Sequence, residues 1–427
     1  MGTFGTWLRA WSEWGRGTAR IVAPAPVRAA ATDRRTERGP ATLSYPCHVS
    51  ATEPLERHDL LLPDGRSLHL YGALRGARSA PPPSTVQHRP PARHPPPLQL
   101  RFDILTGTWI SISPARNDRP DVRRAVGRGD PPCPFCPGGP EVPWAYDAAV
   151  FDNRFPALVA DPPPVPAGRL VAPARGRCEI VLYTARHSGS LASLTPLELA
   201  RVVAIWRDRS ADLWADPSHR FVMVFENHGA AVGATLAHPH GQVYAFDHLP
   251  PLIAGRVAAL GAFRERHDAC AGCRVTAQDA ASERVAAANP SFVIAVPFAP
   301  RWPFELHVRA RRHGLRRLGD LVPAEQHDLA AAVRAVVVRY AQLYDVDLPY
   351  MMVALEAPDP AEDWHLAFEF YPPHRSRELT KIRASVETAT GLVLNDTLPE
   401  ETARLLAALP GPAVVEQTPL RVMKAAQ

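Results

Sequence analysis

The chain has no run of about 18 consecutive apolar residues, so the sequence predicts no membrane-spanning helix. It also lacks the apolar core of a secretory signal, since residues 1–55 are rich in arginine, alanine and proline. Most of the chain has no excess of either charge. Residues 1–100 hold 13 basic and 7 acidic residues, whereas the remainder holds 35 and 36. The net charge of +5 therefore comes from the first hundred residues, which argues against a nucleic-acid-binding protein.

The first hundred residues divide into two parts. Residues 1–57 are predicted to be disordered and without function, since an Arg-rich, acid-poor start resembles either a transit peptide or an over-extended translation start. Residues 58–98 combine a hairpin-like patch around Asp64-Gly65-Arg66 with a proline-rich linker. Without a secretory signal or a membrane span, we expect a cytoplasmic protein.

Cysteine is scarce, but four of the six cysteines form two Cys-x-x-Cys pairs, Cys133/Cys136 and Cys270/Cys273. Without a signal peptide, such pairs indicate metal clamps or redox motifs rather than a disulfide framework. A redox pair is favoured at a helix N-terminus. The prolines and glycines around Cys133 are typical of a turn, so the pattern favours zinc.

The chain repeats this pattern, which indicates an internal duplication. Each Cys pair is followed by one histidine, a predicted helix and a second histidine, and the two histidines are 51 residues apart in the first repeat and 52 in the second. The first helix is predicted from the capping box Thr195-Pro196-Leu197-Glu198, and the second begins after Pro323. The order strand, strand, helix, strand predicts a duplicated α+β unit with an antiparallel sheet flanked by helices. We expect a first half at 99–262, a second half at 263–405 and a tail at 406–427.

Two cysteines and two histidines in each half supply the four ligands of a tetrahedral zinc site. Because four protein ligands leave no open position, both sites are expected to be structural. The first predicted zinc site consists of Cys133, Cys136, His187 and His238, and the second consists of Cys270, Cys273, His313 and His365.

The stretch His238-Pro239-His240-Gly241-Gln242 follows a glycine-containing segment and precedes a strand-like sequence. In an extended backbone alternate side chains share a face, so His238, His240 and Gln242 are expected to lie together. A bare His-x-His pattern also fits two structural histidines. The nearby glycines favour a phosphate site with His240 as nucleophile. When the halves are superposed at the last zinc ligand, Ala367 takes the position of His240.

At this point the chain resembles the galactose-1-phosphate uridylyltransferase family, the duplicated transferase branch of the histidine-triad superfamily. The resemblance covers roughly residues 100–405, and each repeat is then a histidine-triad-like unit. Besides His-Pro-His-Gly-Gln, it rests on Leu105-Thr106-Gly107-Thr108-Trp109-Ile110, Phe225-Glu226-Asn227, Arg301-Trp302-Pro303-Phe304-Glu305 and Phe370-Tyr371-Pro372-Pro373.

The resemblance implies a ping-pong transfer in which His240 attacks the α-phosphorus of UDP-glucose and galactose 1-phosphate then accepts the uridylyl group. A neutral imidazole is a good nucleophile, and its other nitrogen is expected to donate to a backbone carbonyl. Gln242 would bind a phosphoryl oxygen without titrating. The resemblance also implies a homodimer and the substrate-binding residues Arg116, Arg119, Asn153, Phe155, Asn227, Thr235, Lys381 and Glu387.

Some positions depart from the family pattern. Thr235 stands where serine is usual, Arg154 replaces an acidic residue beside the nucleotide, and Val386 replaces a tyrosine near the sugar. These departures leave open a nucleoside-diphosphate-sugar or dinucleotide phosphorylase that uses the same nucleophile. A third interpretation, from another class, is an inactive zinc-stabilised nucleotide-binding protein. The intact pair His240 and Gln242 argues against this last interpretation.

Overall fold

The computed structural model describes residues 55–72, 98–118, 133–166, 168, 170–359, 361, 363–411 and 422–424. The predictions for residues 1–54, for the proline-rich linker, for Arg119 and for most of the tail therefore lie outside the described residues. Among the described helices, none combines the length and apolar character that a bilayer crossing requires.

The described strands and helices follow the order that the sequence predicts for two repeats. The strands are β1 (Leu55–Leu61), β2 (Ser67–Tyr71), β3 (Gln99–Asp103), β4 (Thr108–Ile112), β5 (Ala148–Asp152), β6 (Val171–Pro173), β7 (Gly176–Leu182), β8 (Phe221–His228), β9 (His240–Phe246), β10 (Val285–Ala288), β11 (Phe292–Ala295), β12 (Leu306–Ala310), β13 (Tyr350–Leu355), β14 (Ala367–Tyr371) and β15 (Val422–Lys424). The α-helices are α1 (Pro196–Trp214), α2 (Pro251–His267), α3 (Ala271–Ala280), α4 (Pro323–Gln342), α5 (Ser385–Thr390) and α6 (Pro399–Ala408). Short 3₁₀ turns lie at Pro114–Asp118, Leu191–Ser193, Ala230–Val232, Leu318–Asp320 and Leu343–Asp345.

Twelve of these strands form one sheet in the order β10-β11-β12-β14-β13-β8-β9-β7-β5-β2-β1-β15. Outward from the centre of the sheet, the first repeat has the strand order β8-β9-β7-β5 and the second has the order β13-β14-β12-β11. Strands β8 and β13 pair with each other at the centre. Neighbours are antiparallel except β1 and β15, which run parallel. This arrangement confirms the predicted fold class, a duplicated α+β unit with an antiparallel sheet and helices. The residue boundaries of the halves stay a prediction.

Helices α1 and α4 cover one face of the sheet. The predicted capping box begins α1, since the Thr195 hydroxyl accepts a hydrogen bond from the Glu198 N–H at 3.2 Å and Pro196 occupies the first helical position. Both helices bury their apolar stripes in one core, where Val203 of α1 and Val333 of α4 are fully buried. The two helices also pack against each other, which joins the halves into one core.

Strand alternation decides which side chains of β9 reach the other face. Val243 and Ala245 point into the core beneath α1 and α4, so His240, Gln242 and Tyr244 point away from it. The functional side chains therefore lie on the face opposite α1 and α4.

Two further elements pack on this outer face. A small sheet of order β4-β3-β6 packs through Leu100 against Cys178 and Tyr244. Helix α2 packs through Ile253 against Leu355 and Trp364, and so covers part of the second repeat.

Candidate active site and metal centres

The nucleophile candidate lies at the start of a strand. The connection before β9 turns at Gly229 and Gly233, whose φ angles of 89° and 85° lie in the left-handed region that favours glycine. The strand begins at His240, so the expected alternation holds for His240 and Gln242. His238 precedes the strand and its ring contacts the cysteine pair. Phe135 packs against the rings of both His238 and His240, with centroids 6.1 and 5.2 Å apart, in keeping with the expected shared face.

The His240 ring is fixed in one orientation. Its Nδ1 atom lies 2.7 Å from the carbonyl oxygen of His238, and an Nδ1–H bond to this acceptor leaves Nε2 as the unprotonated atom. Burial lowers the pKa of His240 below its ordinary value, so the ring is neutral at pH 7. The ring of Phe135 packs edge-on against it, with centroids 5.2 Å apart. A neutral imidazole with a free nitrogen has the chemistry of a nucleophile.

The first Cys/His cluster lies next to this ring. The ligand atoms of Cys133, Cys136, His187 and His238 all lie within 4.8 Å of one another. His238 Nδ1 is 3.9 and 3.8 Å from the two sulfurs, while its Nε2 is 2.8 Å from the Thr184 carbonyl oxygen. Burial lowers the pKa of His238 to about 4, which keeps its ring neutral. These four residues, predicted from spacing alone, could hold one metal ion.

The second cluster repeats this arrangement. Cys270, Cys273, His313 and His365 also lie within 4.8 Å of one another, and His365 Nδ1 lies 3.1 Å from the Ala310 carbonyl oxygen. Ala310 precedes His313 by three residues, as Thr184 precedes His187. Backbone carbonyl groups at equivalent positions therefore orient the buried histidine in both repeats.

The second Cys pair differs from the first in its local structure. The Cys270 sulfur is the N-cap of α3 and accepts the N–H of Cys273 at 3.4 Å. A helix N-terminus also suits a redox pair. The two histidines that complete the cluster favour a metal ion instead.

The residues expected at the nucleotide lie beside the middle of β9. The Asn153 side chain accepts the N–H of Phe155 at 2.8 Å, which forms a tight turn after β5. Arg116 Nη1 donates to the Phe155 carbonyl oxygen at 3.0 Å and to the Tyr244 hydroxyl at 3.3 Å. Asn153, Phe155 and Arg116 are therefore brought together next to the strand that carries His240 and Gln242.

Asn227 lies on the other side of the candidate nucleophile. Phe225 of β8 pairs with Gln242 of β9, so Asn227, two residues further along β8, is level with His240. Thr235 lies in the connection that leads into β9 and is half-buried. Arg116, Asn153, Phe155 and Asn227 thus lie along or beside β8 and β9, and the place of Thr235 at the phosphates stays a prediction.

Comparisons with known proteins agree with this geometry. The model of the galactose-1-phosphate uridyl transferase N-terminal domain matches residues 94–250, and that of the C-terminal domain matches residues 265–417. The galactose-1-phosphate uridylyltransferase of Thermotoga maritima is 37% identical over 318 residues, which span 72% of this chain and 98% of that protein. The corresponding enzyme of Rattus norvegicus is 30% identical over 335 residues, or 73% of this chain and 87% of that protein.

The chain belongs to the galactose-1-phosphate uridylyltransferase family.

Solved structures extend the likeness to the fold. A structure of a uridylyltransferase matches with a TM-score of 0.66 and 30% identity, and covers 73% of this chain and 98% of that one. An ADP-glucose phosphorylase from Arabidopsis thaliana shares the fold at a TM-score of 0.56, with 23% identity and coverage of 73% and 99%. The duplicated sheet is therefore common to this family of transferases and to a phosphorylase.

The second repeat lacks a nucleophile at the position that corresponds to His240. Ala367 begins β14 as His240 begins β9, and it is buried. Two positions on, Glu369 replaces the glutamine and accepts hydrogen bonds from Arg256 and Arg301, both at 2.9 Å. Burial opposes ionisation of Glu369, but the surrounding cations outweigh it and hold its pKa well below the ordinary value. One repeat carries the candidate nucleophile His240, while the other has a buried ion-pair cluster at the corresponding place.

Two predicted sugar-phosphate residues lie elsewhere. Lys381 and Glu387 follow β14, are both buried, and pair with each other at 2.8 Å. The Lys381 ammonium also donates to the carbonyl oxygen of Leu394. Among the described contacts, none joins this pair to β9 of the same chain.

Sequence reasoning missed three residues that shape the site. Phe135 packs on the His240 ring, and the only available signal was its place between the two cysteines. Tyr146 donates to the Phe135 carbonyl oxygen at 2.6 Å, and its hydroxyl lies 3.2 Å from His238 Nε2. Tyr244 contacts Arg116, and the alternation of β9 could have placed it on the face of His240 and Gln242.

Proposed function

We propose that this protein is a nucleotidyltransferase that moves a uridylyl group from UDP-glucose to galactose 1-phosphate. The reaction proceeds in two steps through a covalent uridylyl-histidine on His240. The observation that carries this proposal is the bond from His240 Nδ1 to the His238 carbonyl, because it makes Nε2 the nucleophilic atom. Family membership supports the choice of substrates.

In the first step the lone pair of His240 Nε2 forms a bond to the α-phosphorus of UDP-glucose. The phosphoanhydride bond breaks, and glucose 1-phosphate leaves with the electron pair on its phosphate oxygen. Gln242 donates a hydrogen bond to a phosphoryl oxygen and takes up no proton, because an amide does not titrate. In the second step a phosphate oxygen of galactose 1-phosphate attacks the same phosphorus and releases His240. A phosphate acceptor needs little base assistance, which suits glutamine at this position.

The proposed substrate contacts are those that the family resemblance implies. Asn153 and Phe155 bind uridine, while Asn227 and Thr235 line the phosphates. Arg116 and Arg119 bind phosphate through guanidinium groups, whose geometry matches phosphate oxygens. The resemblance implies that Arg116 and Arg119 come from the neighbouring subunit and that Lys381 and Glu387, which pair with each other at 2.8 Å, hold the sugar phosphate.

Both Cys/His clusters fit zinc. Zn–S bonds of about 2.3 Å and Zn–N bonds of about 2.0–2.1 Å give S···N edges of roughly 3.6 Å in a tetrahedron. The S···N separations are 3.5, 3.8 and 3.9 Å in the first cluster. They are 3.4, 3.4 and 3.5 Å in the second cluster. Each ion would be structural, since four protein ligands fill its coordination. Zinc supplies folding free energy there and takes no part in the bond changes at phosphorus.

The proposed enzyme is a homodimer that works in the cytoplasm without nucleic-acid or membrane partners. The halves of each chain comprise residues 99–262 and 263–405. In such a dimer the resemblance places Arg116 and Arg119 in the site of the neighbouring subunit.

Isotope exchange tests the proposed route. Labelled glucose 1-phosphate should enter UDP-glucose in the absence of galactose 1-phosphate, because the uridylyl enzyme forms without the second substrate. Initial-rate plots against both substrates should give parallel lines. Exchange with ADP-glucose but not with UDP-glucose would contradict the proposal and favour a phosphorylase, while exchange with neither would favour a nucleotide-binding protein.

A further inference from the structure

Three polar groups lie buried on the core side of the nucleophile strand. The Tyr183 hydroxyl, the Glu226 Oε2 atom and the Trp206 Nε1 atom are enclosed, and hydrogen bonding of the hydroxyl with both of the others contributes to its pKa. None of these contacts has ideal hydrogen-bond geometry. Buried polar groups are costly unless they pair, so a cluster of three beneath one strand calls for a functional explanation.

Tyr183 contacts the backbone on both sides of His240. Its N–H donates to the Pro239 carbonyl oxygen at 3.2 Å. Its hydroxyl lies against Gly241 so closely that a Cβ atom there would be 2.0 Å from the hydroxyl oxygen and 3.0 Å from the Phe225 carbonyl oxygen. Glycine is thus required at position 241 by space, and the Tyr183 hydroxyl supports the strand directly beneath the nucleophile.

Glu226 lies beside Tyr183 on the same side of the sheet. It follows Phe225, which pairs with Gln242, so it stands across from Gly241 on the core face of β8. Both Tyr183 and Glu226 are almost fully buried. Burial, followed by the charge of Glu226, raises the pKa of Tyr183 well above its ordinary value. The carboxylate is therefore electrostatically coupled to the hydroxyl that supports Gly241.

Glu226 is also connected to the surface. Its Oε1 atom accepts from the Tyr350 hydroxyl at 3.2 Å and lies 3.8 Å from His228 Nδ1. His228 Nε2 in turn contacts the exposed Asp347 at 2.8 Å. The titratable groups that face Glu226 are thus Tyr183, Tyr350, His228 and, through His228, Asp347. Burial raises the pKa of Glu226 to about 7, so its charge changes near neutral pH.

We propose that Glu226 and Tyr183 are positioning residues for the nucleophile. The Tyr183 hydroxyl holds the backbone at Gly241, and the Glu226 carboxylate aligns that hydroxyl. The inference rests on the proposed function, in which His240 Nε2 bonds phosphorus while Nδ1 keeps its proton, so the ring gains a positive charge. The negative charge of ionised Glu226 stabilises that charge through the low-dielectric core. No proton or co-reactant is exchanged with Glu226 during the step.

The test is the pH profile of single-turnover uridylylation in the wild-type protein and in Glu226→Gln, Tyr183→Phe and Glu356→Gln. Glu356 is the matched control, because it is also fully buried, with a pKa raised to about 7 by burial, but it binds the Ser210 hydroxyl and the Leu318 N–H instead. The wild-type rate should rise through an ionisation near pH 7.

We expect Glu226→Gln to lose this ionisation and to react about tenfold more slowly above it, equivalent to about 1.4 kcal/mol, with KM within about twofold of the wild-type value. Glu356→Gln should lower Tm but keep the wild-type profile. Tyr183→Phe should slow the step as Glu226→Gln does, and the double variant should be no slower than either single one. An unchanged profile in Glu226→Gln, or the same loss in Glu356→Gln, would overturn the inference.

If Glu226→Gln does not fold, Tyr183→Phe decides the question, since it removes only one oxygen atom. Acylation of His240 by diethyl pyrocarbonate, followed by peptide mass, gives a second readout that needs no nucleotide. If the wild-type protein forms no uridylyl adduct, the proposed function fails. The pH dependence of His240 acylation still supports or overturns the inference in that case.

Discussion

Removal of one ligand from each Cys/His cluster should separate metal binding from the orientation of the nucleophile. His187 and His313 are equivalent, exposed ligands of the two clusters, so His187→Ala and His313→Ala are a matched pair. Only the first cluster includes His238, whose carbonyl oxygen accepts the proton of His240 Nδ1 at 2.7 Å. When the His238 ring is no longer held, this carbonyl loses its fixed direction.

The magnitude follows from that hydrogen bond. A neutral hydrogen bond contributes about 0.5–1.5 kcal/mol, which corresponds to a decrease in rate of roughly 2- to 13-fold. We therefore expect kcat of His187→Ala to fall by about tenfold and that of His313→Ala to stay within about twofold of the wild-type value. Both variants should bind less zinc and have a lower Tm, because each site contributes to folding.

The assay combines metal content by atomic absorption, Tm by calorimetry and kcat by coupled turnover of UDP-glucose. The comparison is made well below the lower Tm, so that all molecules are folded. Equal losses of kcat in the two variants would refute the reasoning, because they would show that the metal acts only through global stability.

Three further variants test the fold around the site. Arg209→Met should destabilise the protein by about 3–5 kcal/mol in chemical denaturation, because it leaves Glu179 buried without the guanidinium group that lies 2.8 Å away. The double variant Arg209→Met with Glu179→Leu should recover most of the lost stability. Burial opposes ionisation of Glu179, but the charge of Arg209 outweighs burial and keeps the pKa of Glu179 below its ordinary value. The stabilisation by this ion pair is therefore present at neutral pH and is lost as the pH falls below about 4.3, the ordinary pKa of glutamate, towards the lower pKa of the folded state. Ala367→His should leave one uridylyl group per chain by intact mass, since position 367 is buried beside ion-paired Glu369, and a second adduct would contradict this account. Thr195→Ala should lower the free energy of unfolding by about 1 kcal/mol through loss of the α1 cap, and an unchanged value would show that the cap is dispensable.

Much of the fold was predictable because spacing and local chemistry carry it. The capping box at Thr195 marked the start of α1, and the nearly equal separations of the histidine pairs, 51 and 52 residues, indicated the duplication. Both Cys/His clusters were predicted from ligand type and spacing together, since thiolates and imidazoles at such spacings have few other uses. The Nδ1–carbonyl bond of His240 was expected from the chemistry of a nucleophilic imidazole and is present in the structure.

What the sequence could not show depends on contacts between distant segments. The support of Gly241 by Tyr183 requires the pairing of β7 with β9 in the sheet, which no local pattern encodes. Lys381 and Glu387 were expected at the sugar phosphate, yet within one chain they contact each other, and their role stays a prediction.

Intact-mass spectrometry after mixing the protein with UDP-glucose alone tests the central claim most directly, with His240→Gly measured beside the wild-type protein. The account predicts that the wild-type chain gains the mass of one uridylyl group, that galactose 1-phosphate removes it, and that His240→Gly gains nothing. A wild-type protein that gains no mass, or a His240→Gly variant that gains the same mass, would contradict the assignment of His240 as the nucleophile.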